Sequence, residues 1–339
     1  MGFHKEIIKD GVIIKNPIGN SGLSISAIAL GAGTFGREIN EDASWKILDY
    51  ATEKGITFHD NAESYGGGNN YQKRQSDYGT TDVREVTTEM YSGEKILSRW
   101  MKSRGCRDEI TICTKVSSGN SAGNIKKQML ASLDRLEVDC VDVYMLHSPD
   151  ENVPIEETMD ALNEEIDAGR TKVIGCSNFS GFQLREALDV STKKGYARFE
   201  ISEPRYNLAD RLAEIDHFPI CRKEGITVMP YSPLAAGFLT GKYVSDRSKF
   251  PKGARFDISP GHADIYFTDR NFQIVKHLRD KSLETSVPMV RLAMAWAMSH
   301  PDVTATLIGA RTTAHIDNAL QAAEMTFDLT LREEMNNWD

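Results

Sequence analysis

Short apolar runs alternate with amphipathic helical stretches along most of the chain. Each run is rich in β-branched residues and ends in a polar residue before the next helical stretch begins. Eight runs predict strands: "SAIALG", "ITFHD", "EITICTK", "DVYMLH", "KVIGCS", "FEISEP", "ITVMPYS" and "VTATLIGA". Eight strands that alternate with helices predict an α/β fold of the (β/α)8 type, the TIM barrel.

Three irregular segments interrupt this alternation. Before the first strand, "IIKDGVII" predicts a β-hairpin that turns through Asp10 and Gly11 and closes the bottom of the barrel. A glycine-rich insertion at about residues 67–88 follows the second strand and exceeds the usual length of a βα connection. Another long connection runs from about residue 240 to 268. Because no linker or repeat divides the chain, we expect residues 1–339 to form one domain.

The position of the insertion, on the rim beyond the second strand, indicates a substrate lid or a subunit contact. Surface decoration without a function is the alternative. In a barrel of this type, the loops that follow the strands build the functional face. An insertion at this position would therefore lie near any bound substrate.

Composition narrows the class of protein. The chain has 339 residues and a formal net charge of −9, which disfavours a nucleic-acid partner. No apolar stretch reaches the roughly 18 residues that span a membrane, and the start lacks the apolar run of a secretion signal. We therefore expect no membrane partner and a cytoplasmic location. The five cysteines form no C-x-x-C pair, so we expect buried thiols and no metal site.

A glycine motif near the end of the first strand raises the alternative of a Rossmann fold. "LGAGTFG" contains Gly31, Gly33 and Gly36 in the G-x-G-x-x-G spacing of a Rossmann domain. In that fold the glycine loop opens directly into a helix, whose free N–H groups bind the pyrophosphate. Here the next helix is expected to begin only near Glu41 or Asp42. The pattern therefore does not predict a Rossmann domain.

Polar residues stand at the ends of three successive predicted strands. Asp60 ends the second, Lys115 the third and His147 the fourth, while Tyr65 follows Asp60 closely enough to return over the same rim. Each has an ordinary explanation by itself, since a strand-terminal lysine often reaches solvent and a lone histidine often caps a turn. Together, at the carboxyl ends of adjacent barrel strands, they indicate one catalytic site.

These residues lie in motifs that resemble those of the aldo-keto reductases. "HDNAESYG", "ICTKV" and "YMLHSPD" are similar to the Asp, Tyr, Lys and His motifs of that family, in the same order. The similarity continues through "VIGCSNF", "EPRYNLADR", "MPYSPLAAGFLTGKY" and "TLIGARTTAHI". The chain most resembles the bacterial branch that is itself similar to potassium-channel β subunits and to members acting on sugars and polyols.

The resemblance implies an NADP(H)-dependent oxidoreductase that interconverts a carbonyl compound and an alcohol by hydride transfer. A tyrosine, with a pKa of about 10, is a poor acid near neutrality, and a nearby ammonium lowers that pKa. Lys115 would thus tune Tyr65 as the proton donor, and Asp60 would hold Lys115 charged. His147 would donate a hydrogen bond to the carbonyl oxygen.

The family also implies where the substrate and the cofactor bind. Phe35, Tyr65 and His147 would contact the substrate, with His59 nearby, and this mixture slightly favours a polar or sugar-like aldehyde, ketone or keto-sugar. Ser177 and Asn178 would bind the nicotinamide amide. The remaining cofactor contacts implied are those of Gly33, Thr34, Asp60, Glu203, Tyr231, Ser232, Leu234, Lys242, Gly309, Arg311, Thr312 and His315.

Two of these cofactor residues, Arg311 and Glu203, bear on which cofactor binds and how it is held. Arg311 stands where the eighth strand enters a helix, a good receptor for the adenosine 2′-phosphate, so NADP is favoured over NAD. A solvated arginine is the alternative. Glu203 occupies a position where the family commonly has glutamine. An ionised carboxylate accepts hydrogen bonds but cannot donate one, so its role beside the nicotinamide stays open.

Two other functions remain possible on the same residues. A barrel lyase could form a Schiff base through Lys115, although Asp60 would keep that lysine protonated. A cofactor-sensing binding subunit would resemble the channel-associated relatives and would retain only residual reductase activity. A small-molecule substrate and possible self-association into a homo-oligomer complete the expectations.

Overall fold

The structure is a computed structural model that describes residues 5–68 and 86–338. Its strands are β1 (Ile8–Lys9), β2 (Val12–Ile13), β3 (Lys15–Pro17), β4 (Ser24–Ser26), β5 (Ile28–Gly31), β6 (Phe58–Asp60), β7 (Thr111–Val116), β8 (Val141–Leu146), β9 (Thr171–Ser177), β10 (Phe199–Glu203), β11 (Thr227–Val228) and β12 (Thr306–Gly309). Its helices are α1 (Glu41–Glu53), α2 (Ser92–Arg104), α3 (Ala122–Leu136), α4 (Ile155–Asp167), α5 (Gly181–Lys194), α6 (His217–Glu224), α7 (Arg255–Ile258), α8 (Gly261–Tyr266), α9 (Asp269–Thr285), α10 (Met289–Met298), α11 (Thr313–Ala323) and α12 (Leu329–Asn336).

Strands β5 to β12 form one parallel sheet in the order β11-β10-β9-β8-β7-β6-β5-β12. Backbone hydrogen bonds close its two edges: Thr304 N–H donates to the Val228 carbonyl at 2.8 Å, and Leu307 N–H donates to the Pro230 carbonyl at 3.0 Å. Helices pack around the outside, as α3 does against α4. The predicted (β/α)8 barrel and its eight strands are confirmed.

The barrel interior is filled by side chains rather than by solvent. The inward apolar cluster consists of Ile18, Ile25, Ala29, Phe58, Cys113, Val143, Met145, Val173, Ile201, Met229, Ala305 and Leu307. Because this core is apolar, polar functional groups are expected at the rim where the strands end.

Two hairpins precede the barrel, and the second one closes its bottom. The β1–β2 hairpin turns through Asp10 (φ 51°) and Gly11 (φ 78°), as the sequence predicts. Its Ile13, however, packs in the outer apolar layer. Ile18 and Ile25, from the β3–β4 hairpin, enter the barrel cluster instead. The predicted plug is therefore corrected to β3–β4, because this hairpin carries the apolar pair that reaches the interior.

The glycine motif ends well before a helix. Strand β5 ends at Gly31, whereas α1 begins at Glu41, where the Asn40 side chain accepts a hydrogen bond from Ala43 N–H at 3.0 Å. Gly36 N–H donates to the Ile39 carbonyl at 2.9 Å and so already has a backbone partner. The predicted helix start is confirmed, and the Rossmann interpretation is excluded by the barrel.

Most of the predicted insertion, residues 69–85, lies outside the described residues, so its role stays a prediction. Its two stems lie together, because Gly67 pairs with Met90 and donates a hydrogen bond to Ser92 Oγ at 2.8 Å. Helices long and apolar enough to cross a membrane do not occur in the described ranges. All five cysteines are free thiols.

Candidate active site

A cavity of about 540 Å³ opens where the barrel strands end. Its lining includes most of the residues that the sequence motifs single out: Gly33, Thr34, Asp60, Tyr65, His147, Ser177, Asn178, Glu203, Tyr231, Ser232, Leu234, Lys242, Gly309, Arg311 and His315. Parallel strands all end on one rim, so residues far apart in the sequence meet there. The cavity has a deep end over the barrel and an outer end near Arg311.

The deep end contains two acidic groups and one basic group, all fully buried. Lys115, near the end of β7, donates hydrogen bonds to Asp60 Oδ1 and, at 3.1 Å, to the Asn61 carbonyl. Glu203, the last residue of β10, places Oε2 3.3 Å from Lys115 Nζ. We refer to Asp60, Lys115 and Glu203 as the inner triad.

Burial and mutual charge set the protonation of the inner triad. Burial alone would lower the pKa of Lys115, but the carboxyl groups of Asp60 and Glu203 outweigh it and raise that pKa well above its ordinary value. The ammonium is therefore held charged. Burial raises the pKa of Asp60 against the attraction of Lys115. Burial, reinforced by Asp60, raises the pKa of Glu203 to about 8.

Tyr65 lies between the inner triad and the cavity. Lys115 Nζ is 5.4 Å from the centroid of its ring, and the His147 ring meets it edge-on at 5.6 Å. Burial raises the pKa of Tyr65, and the opposing effect of Lys115 is smaller. Lys115 thus lowers the pKa of Tyr65, as predicted, but the net shift is upward, because the cost of burying a phenolate is larger than the effect of Lys115. Tyr65 is held as a neutral phenol, the form that can donate a proton.

Ser117 holds His147 in place and was missed by sequence reasoning. Its Oγ lies 2.6 Å from His147 Nδ1 and 3.0 Å from Ser64 Oγ. The sequence could have indicated Ser117 as a site residue, because it comes two residues after Lys115 and alternate residues of an extended chain face the same side. The contact orients the imidazole towards the cavity.

One wall of the cavity is tied together by side-chain hydrogen bonds. Asn178 Nδ2 donates to the His147 carbonyl at 2.8 Å, and Tyr231 donates its hydroxyl hydrogen to Asn178 Oδ1 at 2.7 Å. Ser177 Oγ donates to the Glu203 carbonyl at 2.9 Å. Because these bonds fix the side chains before any ligand binds, the wall is a preformed surface beside the inner triad.

At the outer end the balance of charge is reversed. Glu38 accepts hydrogen bonds from Arg37, from Arg255 at 2.7 Å and from Arg311 at 3.4 Å. We refer to Glu38, Arg255 and Arg311 as the outer triad. Burial and the charge of Arg311 lower the pKa of Lys242 nearby, and His315 Nδ1 accepts from Arg311 N–H at 3.0 Å. Glu38 and Arg255 were not predicted, because nothing local in the sequence marks their pairing.

Four predicted residues are placed away from the cavity surface. Phe35 is fully buried in the outer apolar layer, so it is removed from the expected substrate contacts. His59 packs edge-on against Trp100, 5.5 Å between centroids, since neighbouring residues of a strand face opposite sides and Asp60 faces inward. Lys115 lies behind Tyr65. Thr312 is exposed at the start of α11 and does not line the cavity.

The residues present fit a nicotinamide dinucleotide. Arg311 and Lys242 supply positive charge for phosphate groups at the outer end, and the start of α11 lies beside Arg311. Ser177 and Asn178 present amide and hydroxyl groups at the deep end. A side-chain atom added at Gly309 would meet nothing within 4 Å, so the backbone there leaves open space for a ligand.

The barrel and its rim define the class of protein, and sequence comparison gives the family. The chain belongs to the aldo/keto reductase family of oxidoreductases, whose sequence profile matches residues 27–339. It is 30% identical to a probable voltage-gated potassium channel subunit beta of Arabidopsis thaliana over 321 residues, 91% of this chain and 90% of the relative.

Two further relatives are similar over most of their length. The uncharacterized oxidoreductase YrpG of Bacillus subtilis (strain 168) is 28% identical, with 94% of each chain covered. The NADP(+) aldo-keto reductase yakc of Schizosaccharomyces pombe is 27% identical, with 90% of this chain and 86% of the relative covered. The family resemblance expected from the sequence motifs is thereby confirmed.

Proposed function

We propose that this protein is an NADP(H)-dependent oxidoreductase that interconverts an aldehyde, ketone or keto-sugar and the corresponding alcohol, with Tyr65 as the proton donor and acceptor. The observation that carries the proposal is the buried Lys115 ammonium, paired with Asp60 behind the ring of Tyr65. When bound, a nicotinamide cofactor supplies or accepts the hydride. The chain supplies the proton and the charge that accompany it.

Proton transfer rests on Tyr65, His147 and Lys115. As negative charge grows on the carbonyl oxygen, the neutral phenol of Tyr65 gives up its proton to that oxygen. The phenolate left behind is stabilised by the Lys115 ammonium, which Asp60 holds in place. His147, oriented by Ser117, lies across the Tyr65 ring and hydrogen-bonds the same oxygen.

The proposed cofactor lies along the cavity with its nicotinamide at the deep end. Ser177 and Asn178 would bind the amide, while the ring of Tyr231 would stack on the nicotinamide. Arg311 would bind the 2′-phosphate, and the NADP(+) in the name of the relative yakc supports this preference. The remaining contacts proposed are those of Gly33, Thr34, Asp60, Glu203, Ser232, Leu234, Lys242, Gly309 and His315.

The channel-subunit relatives support a second candidate, a cofactor-sensing binding subunit. Both candidates bind the same cofactor and differ only in turnover. The placement of Tyr65 and His147 on the cavity surface favours turnover. A Schiff-base lyase is disfavoured, because a nucleophilic amine must be neutral, whereas the buried Lys115 is held charged by its carboxyl neighbours.

Turnover assays distinguish the two candidates. NADPH oxidation is followed with aldehydes, ketones and keto-sugars, and NADP+ reduction with polyols. We expect the wild type to reduce carbonyl compounds, and Tyr65→Phe to bind NADPH normally without reducing them. Tyr196→Phe, at a surface tyrosine hydrogen-bonded to Asp160, is the matched control. Binding of NADPH without turnover of any carbonyl would favour the sensing subunit. Wild-type rates in Tyr65→Phe would contradict the proposed mechanism.

A further inference from the structure

The inner triad contains two carboxyl oxygens that need a hydrogen. Asp60 Oδ2 and Glu203 Oε2 are buried and have no hydrogen-bond partner within the described part of the chain. The two carboxyl groups lie against the same ammonium, because Lys115 donates to Asp60 Oδ1 and its Nζ is 3.3 Å from Glu203 Oε2. Lys115 does not satisfy Glu203 fully, because the 3.3 Å contact lacks hydrogen-bonding geometry.

A single proton resolves this arrangement. Two ionised carboxylates can only accept hydrogen bonds, so they cannot satisfy each other. When one is protonated, it donates to the other, and the triad becomes neutral overall with Lys115 charged. Without that proton the triad carries a net negative charge in a site closed to solvent, which is unfavourable. Side-by-side carboxyl groups that share a proton are the usual outcome of such crowding.

Apart from Asp60, the titratable groups around Glu203 do not change their charge near neutral pH. Those that face it are Asp60 on β6, Tyr65 after β6, Cys113 and Lys115 on β7, Cys176 on β9 and Tyr231 after β11. Burial raises the pKa of both tyrosines and both cysteines, to about 12 for Cys176 and Tyr231. Lys115 stays charged. The proton that titrates there therefore belongs to the Asp60–Glu203 pair.

Given the proposed function, we propose that Glu203 shares one proton with Asp60 and that this proton sets the relative affinity of the site for oxidised and reduced cofactor. An oxidised nicotinamide carries a positive charge, whereas a reduced one is neutral. Glu203 lines the cavity next to Ser177, at the end proposed for the nicotinamide. The ionised pair attracts the oxidised ring, and the protonated pair does not.

The direction of the pH dependence follows from this charge. Burial and Asp60 raise the pKa of Glu203 to about 8, so the pair is protonated on the acidic side and ionised on the alkaline side. Rising pH therefore favours oxidised cofactor and, with it, alcohol oxidation. A glutamine, which the family commonly has at this position, is neutral at every pH and cannot provide the effect. Glu203 is thus a specificity-determining residue of this chain.

The test is the ratio of two dissociation constants across pH. Calorimetric titration with NADP+ and with NADPH, between about pH 6 and about pH 10, gives the Kd of each. We expect the Kd of NADP+ relative to NADPH to fall roughly tenfold as the pair ionises. Groups that meet both forms alike, including the 2′-phosphate and Arg311, cancel in the ratio. Near neutral pH, titrations in two buffers should show that NADP+ binding releases more protons than NADPH binding.

Two variants separate the charge of Glu203 from the other charges of the protein. Glu203→Gln keeps the shape and the donor to Asp60, so its ratio should stay at the low-pH value throughout. Glu186→Gln removes the same charge from the exposed face of α5 and should retain the wild-type profile. A flat ratio in the wild type, or an unchanged profile in Glu203→Gln, would overturn the proposal.

Failure of the proposed function gives a different result. If neither NADP(H) nor NAD(H) binds, the cavity is not a nicotinamide site, and the proposed function fails together with the role of Glu203. If NAD(H) binds in place of NADP(H), the same ratio is measured with that pair. A wild-type ratio that changes with pH as described supports the proposal even where Glu203→Gln does not fold.

Discussion

The two ends of the cavity have opposite charge arrangements. The inner triad places two carboxyl groups around one ammonium, whereas the Glu38 carboxylate of the outer triad is paired with Arg255, Arg311 and the neighbouring Arg37. The Lys115 side chain is 0% exposed, whereas that of Arg311 is 34% exposed. The two clusters therefore differ both in the sign of the charge in excess and in their exposure to solvent.

Burial decides what each triad can do. At the inner triad, away from water, charges interact strongly and the pKa values of the carboxyl groups are displaced. This end can hold and move a proton. At the outer triad, the guanidinium groups of Arg255 and Arg311 reach solvent, where salt screens them, and the role proposed for this end is the binding of an anionic group. Substitutions at the inner triad should therefore affect turnover and the preference between oxidised and reduced cofactor. Substitutions at the outer triad should affect the affinity for both forms.

Lys115→Met should break the inner triad and give the largest effect. Activity should fall by about a thousandfold, since the Tyr65 phenolate loses its cation. The free energy of unfolding should fall by about 3–5 kcal/mol at pH 8, because two carboxyl groups remain buried without a partner. The loss should be smaller near pH 5. The buried carboxyl groups have a higher pKa in the folded than in the unfolded protein. At low pH they are protonated in both states, and as the pH rises the folded protein becomes less stable because it holds protons that the unfolded chain has lost.

Turnover rates and denaturant unfolding at the two pH values check this prediction. Lys172→Met is the matched control, because Lys172 pairs with Asp142 at a side chain that is 51% exposed. It should lower the free energy of unfolding by less than about 1 kcal/mol. Equal losses at both pH values in Lys115→Met would argue against buried carboxyl groups that take up protons.

Arg311→Gln should affect the outer triad only. The Kd of NADP(H) should rise about tenfold with the loss of a charged hydrogen bond to phosphate, and the Kd of NAD(H) should change little. Added salt should reduce the difference between wild type and variant. Fluorescence titration with both cofactor pairs measures this. Arg222→Gln, at an exposed ion pair with Asp302, is the control. An equal rise for NADP(H) and NAD(H) would remove Arg311 from 2′-phosphate recognition.

Ser117→Ala should lower the rate at the deep end without changing the Kd of the cofactor. Removing the hydroxyl that lies 2.6 Å from His147 Nδ1 loosens the imidazole, and a loss of about fivefold in kcat is expected. Ser117→Thr retains a hydroxyl and should restore most of the rate. Steady-state kinetics together with cofactor titration separate the two quantities. A matching loss in Ser117→Thr would show that the role is packing rather than orientation.

Glu38→Gln should have the smallest effect and should show that the outer triad affects cofactor binding rather than turnover. Neutralising the carboxylate releases Arg311 and Arg255 for a phosphate group, so the Kd of NADP(H) should fall about twofold. The Kd of NAD(H) should not change. Titrations of both cofactors at low salt check this. Weaker NADP(H) binding would mean that Glu38 mainly holds the two arginines in position.

Local patterns in the sequence were enough for the barrel and for most of the deep end. Each strand forms its own apolar run, and parallel strands bring Asp60, Lys115 and His147 to one rim. Strand alternation also explains the error at His59, which faces away from the side that Asp60 occupies. The fold and the position of these three residues thus follow from short-range rules.

Contacts across long sequence separations could not be predicted. Glu38 and Arg255 are in contact although they are 217 positions apart in the sequence. Glu38 lies in the loop before α1, and Arg255 is the first residue of the short helix α7. The sequence shows that Glu203 is a carboxylate, but only the structure shows it facing Asp60 and Lys115. Plugging by β3–β4 rather than β1–β2 likewise depends on which isoleucines reach the interior.

The most direct test of the central claim is the fate of the hydride. NADPH that carries deuterium at the transferable position is incubated with a carbonyl compound from the substrate panel, and the alcohol is analysed by mass spectrometry. We predict one deuterium on the former carbonyl carbon with the wild type, and no alcohol with Tyr65→Phe despite normal NADPH binding. Alcohol formed without deuterium, or formed equally by Tyr65→Phe, would contradict the proposed site.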